Sequence, residues 1–235
     1  MRDPLNPGRH QLVRPDGTVL RGWSVGVGST VLLLHAGGER SRVWEPVVGG
    51  LVAAGCRCVA FDLRGHGDSG GSARSVTTCA ADIAAMIRNE PPGCVVVGAS
   101  LGGLAALAAL ADAEVCARVA GLVLVDVVPT MNHTRVRAFL SGAPDFGSYV
   151  EIVEDILGRI PQLGQAAAAL EVPVLLVRAG ERTPVTEDYV DEFVRLVPHV
   201  AVHRIAGAGH LVARERPGEL AEAIAGWLST ALSRG

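Results

Sequence analysis

Apolar residues recur along this chain in two rhythms, and each predicts a different element. Short, nearly continuous runs stand at 30–34, 58–61, 94–97, 121–125, 172–177 and 200–205. Their Val, Leu and Ile content suits strands of a parallel sheet covered on both faces. Between them, at 43–54, 76–89, 101–111, 187–196 and 217–232, apolar positions fall at helical spacing. Pro217 stands near the start of the last stretch, where its missing N–H costs little. Two polar-apolar stretches, 11–13 and 18–24, flank Pro15-Asp16-Gly17 and predict a β-hairpin ahead of the alternation. The expected architecture is therefore α/β: a mostly parallel, doubly wound sheet with helices on both faces.

One segment breaks the rhythm. From 129 to about 170 no strand is expected, yet Tyr149, Ile152, Val153, Ile156, Leu157 and Ile160 line one helical stripe. This pattern predicts a short helical cap, inserted after a strand and lying over the strand ends. Apart from it, residues 1–235 read as a single domain, with no internal repeat.

Composition narrows the chemistry. Hydrophobic residues make up 49% of the chain and charged residues 19%, enough for a large core. Aromatic residues are only 4%, so that core must be aliphatic. All 21 basic residues are arginine. Without lysine, Schiff-base catalysis, pyridoxal-phosphate attachment, the P-loop and the kinase strand lysine are excluded. A net charge of −3 lacks the basic footprint of a nucleic-acid binder. The longest apolar run, 104–111, is too short to span a bilayer, and the first seven residues lack a signal-like apolar stretch. A soluble, cytoplasmic protein is expected. Cys56, Cys58, Cys79, Cys94 and Cys116 are odd in number and lack paired spacing, so they read as small buried side chains.

The candidate chemistry begins at Gly98-Ala99-Ser100-Leu101-Gly102, which fits G-x-S-x-G between an apolar run and a helical one. A tight strand-to-helix turn there would project the Ser100 hydroxyl above the sheet. A serine needs a base, and His210 follows it in Gly207-Ala208-Gly209-His210, a loop after the last strand run. His35-Ala36-Gly37-Gly38 follows another strand run. The N–H groups of Gly37 and Leu101 could together form an oxyanion hole. His35 itself is expected to hold that loop. His199 and His203 lack the glutamate of a zinc motif and are expected at the surface.

These motifs, together with Phe61-Asp62-Leu63-Arg64-Gly65-His66-Gly67-Asp68-Ser69, resemble the α/β-hydrolase superfamily over about residues 12–232. The resemblance implies an eight-stranded sheet, a serine nucleophile and no metal or organic cofactor. It implies that His66 and Asp68 support the floor of the site through hydrogen bonds. It places Gly38 and Trp44 as substrate-binding positions, although Trp44 could equally pack a helix. The triad acid stays open. Where many relatives carry an aspartate, this chain has Thr183. Asp126 is the first alternative and Glu181 the second, with Glu187 and Asp188 reading more simply as first-turn helix charges.

The implied activity is a serine hydrolase of small-molecule carboxylic esters or lactones. Carbon–carbon bond hydrolysis, a lyase or cyclase role, and ligand binding without turnover are the alternatives. Ser100 argues against the dehalogenases and epoxide hydrolases of the superfamily, which use an aspartate nucleophile, and the absence of lysine excludes its lysine-assisted lyases. The expected partners are a small-molecule substrate and a second copy of the chain as a homodimer, with neither nucleic acid nor membrane.

Overall fold

Alternation within each strand decides which side of the sheet a side chain serves. The computed structural model describes residues 7–142 and 149–231. Strands β1 (Gly8–Val13) and β2 (Val19–Val25) form the expected hairpin, with Gly17 at φ +79° in its turn. They are followed by β3 (Ser29–Leu34), β4 (Cys56–Phe61), β5 (Cys94–Ala99), β6 (Val119–Val125), β7 (Val174–Ala179) and β8 (Val200–Ile205). The eight strands lie in the order β1-β2-β4-β3-β5-β6-β7-β8. β1 and β2 pair antiparallel, as do β2 and β4, and the remaining pairs are parallel.

The parallel strands feed two cores. Leu32, Leu34 and Val96 join one, with α2 (Val76–Asn89) and α3 (Leu101–Leu110). Val31, Leu33, Val95 and Val97 join the other, with α1 (Glu45–Ala53) and α10 (Pro217–Ala231). Each fully buried aliphatic side chain contributes roughly 1.5–3 kcal/mol relative to exposure. The continuous apolar runs therefore identify interior strands. β8 departs from that expectation: it lies at the sheet's edge, and Ala201 to Arg204 are exposed. His199 and His203 are also exposed, as expected of surface histidines.

Short elements complete the walls: a 3-10 turn (Ser41–Trp44), α4 (Ala113–Cys116), α8 (Glu187–Leu196) and α9 (Val212–Glu215). Between β6 and β7 run α5 (His133–Leu140), α6 (Val150–Gly158) and α7 (Ile160–Ala168). On the stripe read from the sequence, Ile152, Val153, Ile156 and Leu157 are buried. Asp155 in α6 accepts the N–H of Val76 at 2.8 Å, tying this insertion to the start of α2. Residues 143–148 of the expected cap and Leu232 of the expected last helix lie outside the described residues.

No described helix is long and apolar enough to cross a membrane. All five cysteines are free, and four are buried. Burial pushes the Cys58 and Cys79 thiols up to about 12 and that of Cys94 to about 11.

Candidate active site

Ser100 sits where β5 turns into α3, at φ +46°. An L-residue holds that conformation only when its surroundings over-determine it. Here the close approach of strand and helix does so. A Cβ on Gly98 would stand 2.5 Å from Cα of Gly103, and one on Gly102 would stand 2.6 Å from the Leu34 carbonyl oxygen. Only glycine fits either position. The G-x-S-x-G spacing is thus a packing requirement that projects the hydroxyl beyond the strand ends.

The base arrives from the loop after β8. His210 Nε2 lies 3.1 Å from Ser100 Oγ, and His210 Nδ1 lies 2.8 Å from Asp126 Oδ2. With Nδ1–H donating to the carboxylate, Nε2 keeps a lone pair for the serine proton. The loop is held by Glu215, whose carboxylate accepts the N–H of Gly209 at 2.9 Å, and by the Ala208 carbonyl, which accepts the N–H of Glu181 at 2.8 Å. Phe139 of α5 meets the His210 ring edge-on at 5.2 Å.

Asp126 follows β6 directly, at φ +49° and with no exposed surface. Because Ala99 pairs with Val125 in the parallel register, Ser100 and Asp126 leave neighbouring strands at the same height. The carboxylate must still reach across the end of β7 to His210. Its Oδ1 accepts the N–H of Ala179 at 2.8 Å, and its Oδ2 accepts the Thr183 hydroxyl at 2.6 Å. Glu181 is exposed, Glu187 pairs with Arg178, and Asp188 is exposed at the start of α8. Of the four carboxylates weighed from the sequence, Asp126 is the one bonded to His210.

The loop after β3 brings Gly37 beside Leu101: a Cβ on Gly37 would lie 3.8 Å from Leu101 Cδ2. Leu101 is the first residue of α3, so its N–H has no intrahelical acceptor. His35 fixes this loop. Its Nδ1–H donates to the Ala36 carbonyl at 2.8 Å, and its Nε2 accepts the N–H of Leu63 at 2.9 Å, bridging the loops after β3 and β4. Complete burial pushes its pKa down to about 4, so the ring is neutral.

Asp62 organises the floor. One carboxylate oxygen accepts the N–H of Ser41 and the other that of Asp68, each at 2.7 Å. Asp68 therefore supports the floor through its backbone, while its side chain is exposed. His66 donates from Nδ1 to the Arg64 carbonyl at 2.9 Å, and its ring stacks on Tyr149. Tyr149 in turn borders Gly38, whose φ of +77° suits only glycine; a Cβ there would stand 3.6 Å from the tyrosine ring. Glu39, next in the chain, is buried, which pushes its carboxyl up, and Arg214 at 3.1 Å pulls the other way.

Trp44 is the correction. It is wholly buried in the core shared by the sheet, α1 and α10, and so packs a helix instead of lining a pocket. Sequence reasoning also missed Thr183 as a donor, Glu215 as the anchor of the histidine loop, and Tyr149 and Phe139 as side chains over the site. Its place on the apolar stripe marks Tyr149 only as a packing residue. Among the described residues, no group of three or more His, Cys, Asp or Glu is placed to hold a metal ion. A cavity of about 810 Å³ lies between the hairpin and α1, lined by residues such as Arg9, Arg21, Trp23 and Arg40, and none of Ser100, Asp126 or His210 borders it. The hydrogen-bonded chain, and not this volume, locates the chemistry.

Residues 31–223 match the alpha/beta hydrolase family. The chain belongs to that family. Among curated members, the esterase Rv0045c of Mycobacterium tuberculosis is 28% identical, over 85% of this chain and 83% of its own. Protein phosphatase methylesterase 1 of Mus musculus is 35% identical, but over 50% of this chain and 33% of its own. In three dimensions this hydrolase-fold chain superposes on the crystal structure of the M. tuberculosis esterase with a TM-score of 0.72, at 27% identity, covering 97% of this chain and 94% of that one. A haloalkane dehalogenase from Bradyrhizobium elkanii gives a TM-score of 0.79 at 17% identity, covering 97% of this chain and 98% of that one, a likeness of fold alone.

Proposed function

We propose that this protein is a serine hydrolase that cleaves small-molecule carboxylic esters or lactones through an acyl-enzyme. The observation that carries the reading is the relay from Ser100 Oγ through His210 to the buried Asp126 carboxylate, at 3.1 and 2.8 Å. Relatives named as an esterase and as methylesterases support the bond type.

Ser100 Oγ attacks the substrate carbonyl while its proton passes to His210 Nε2. The carbonyl oxygen gains negative charge and is held by the N–H groups of Leu101 and Gly37. One such donor is typically worth about 10²–10³ in rate. Asp126 keeps the imidazole in the tautomer with Nδ1–H and stabilises the imidazolium. The intermediate collapses, and His210 gives its proton to the departing alkoxide. A water then attacks the acyl carbon with His210 taking its proton, the Ser100–acyl bond breaks, and His210 returns the proton to Ser100 Oγ. Phe139 and Tyr149 of the inserted segment form the cap over this site, with Gly38 on the substrate-facing loop. A reducing, cytoplasmic setting fits the five unpaired cysteines.

The test is covalent. A fluorophosphonate probe is expected to label Ser100 in the folded protein, and Ser100→Ala is expected to abolish both labelling and hydrolysis of p-nitrophenyl esters. Folded wild-type protein that takes no label would sink the acyl-enzyme mechanism.

A further inference from the structure

We propose that Thr183 is a positioning residue of the hydrolytic site: its hydroxyl holds the Asp126 carboxylate in line with His210. The inference rests on the serine-hydrolase reading and adds to it a residue outside the triad.

The direction of the Thr183 hydroxyl is determined on both sides. Its oxygen accepts the N–H of Val185 at 2.9 Å, which leaves the O–H free to donate. The 2.6 Å contact then runs from Thr183 O–H to Asp126 Oδ2, since an ionised carboxylate only accepts. The distance is that of a charge-assisted bond. The same Oδ2 receives Nδ1–H of His210 at 2.8 Å. Thr183 and His210 thus share one oxygen, and the Ala179 N–H holds the other at 2.8 Å.

This third donor answers a problem of topology. An acid at the end of β6 must span the end of β7 to meet a histidine delivered after β8. A buried carboxylate without enough donors would be costly, and its side-chain torsion would be free to turn away. The loop after β7 supplies the missing hold. That loop is itself stiffened, because Arg178 Nε donates to the Val185 carbonyl at 3.1 Å while its guanidinium pairs with Glu187. Thr183 therefore offers a fixed donor that orders the acid without touching substrate.

Four variants test this with p-nitrophenyl acetate turnover and the rate of fluorophosphonate labelling. Thr183→Val keeps shape and removes the donor. It is expected to lower kcat and the labelling rate about 10- to 100-fold while KM moves less than about twofold. Thr183→Ser is expected to retain activity within about threefold, which a packing role for the methyl group would not give. In an Asp126→Asn background the valine substitution is expected to add almost nothing, because groups that act as a unit are not additive. Should Thr183→Val fail to fold, Thr183→Cys, with its weak donor, replaces it and is expected to show the same loss. Wild-type rates in the valine or cysteine variant, or a further full loss on top of Asp126→Asn, would overturn the role of Thr183. Wild-type protein that neither labels nor turns over would instead remove the serine-hydrolase reading and this inference with it.

Discussion

Asp126 and His210 stand 84 residues apart in the chain and 2.8 Å apart in the fold. The pairing separates the candidate acids by experiment. Asp126→Asn should lower kcat/KM for ester substrates by about 10³–10⁴-fold, the order of loss expected when the histidine tautomer is no longer held. Glu181→Gln, at an exposed position, should stay within about twofold. Steady-state kinetics on the two variants decide the matter, and equal losses would move the acid elsewhere.

The glycines of the serine turn predict a contrast. Gly98→Ala places a Cβ 2.5 Å from the backbone of Gly103, so strand and helix must part, at a cost on the order of 1–3 kcal/mol together with loss of activity. Gly226 in α10 has open space around its would-be Cβ, and alanine there should stabilise by about 0.5–1 kcal/mol with activity intact. Urea unfolding of both variants, with esterase rates alongside, gives the comparison. A well-folded, active Gly98→Ala protein would contradict the packing account.

Buried neutral histidines predict acid sensitivity above the usual carboxylate range. His35 titrates near 6.5 when unfolded and near 4 when folded, so between these values the unfolded chain binds more protons. Stability is then fully present above about pH 6.5 and is lost as pH falls toward 4, by about 3 kcal/mol from this group. Burial lowers His66 and His10 in the same sense, while the raised carboxyl of Glu39 works in the opposite one. Urea midpoints measured from pH 7.5 to 4.5 should fall steadily, and a midpoint flat over that range would refute the assignment.

Burial of Trp44 predicts that its replacement acts on stability alone. Its indole Nε1 is buried without a hydrogen-bond partner among the described residues, so Trp44→Phe forfeits packing and no polar contact seen there. A loss of about 1–3 kcal/mol is expected, with KM unchanged for short-chain esters. A raised KM at full stability would return Trp44 to the substrate pocket.

The sequence made legible whatever local physics determines. Continuous apolar runs marked β3, β5, β6 and β7, because strands covered on both faces have no polar side to show. The serine turn was legible because its glycines meet a steric demand within a few residues. β8 misled, since Val200 to Ile205 is apolar enough to resemble an interior strand, and only the strand order exposes it. Asp126 ranks first among the acids on sequence but is not fixed there, because its partners Ala179, Thr183 and His210 lie on three later segments. Trp44 is ambiguous for a related reason: which side of the sheet its turn packs against depends on α10, whose first residue, Pro217, lies far downstream. Asp62, beside the more conspicuous His66 and Asp68, carries the floor through backbone N–H groups that no side-chain motif displays.

The buried thiols supply a clock for the fold. Cys58, Cys79 and Cys94 lie in strands and a helix of the two cores, out of reach of a thiol reagent and poorly ionised where they stand. Each can react only after the core around it opens. The modification rate of these three positions, followed by mass spectrometry beside the half-buried Cys116, therefore reports how often each side of the sheet comes apart while the protein stays folded overall.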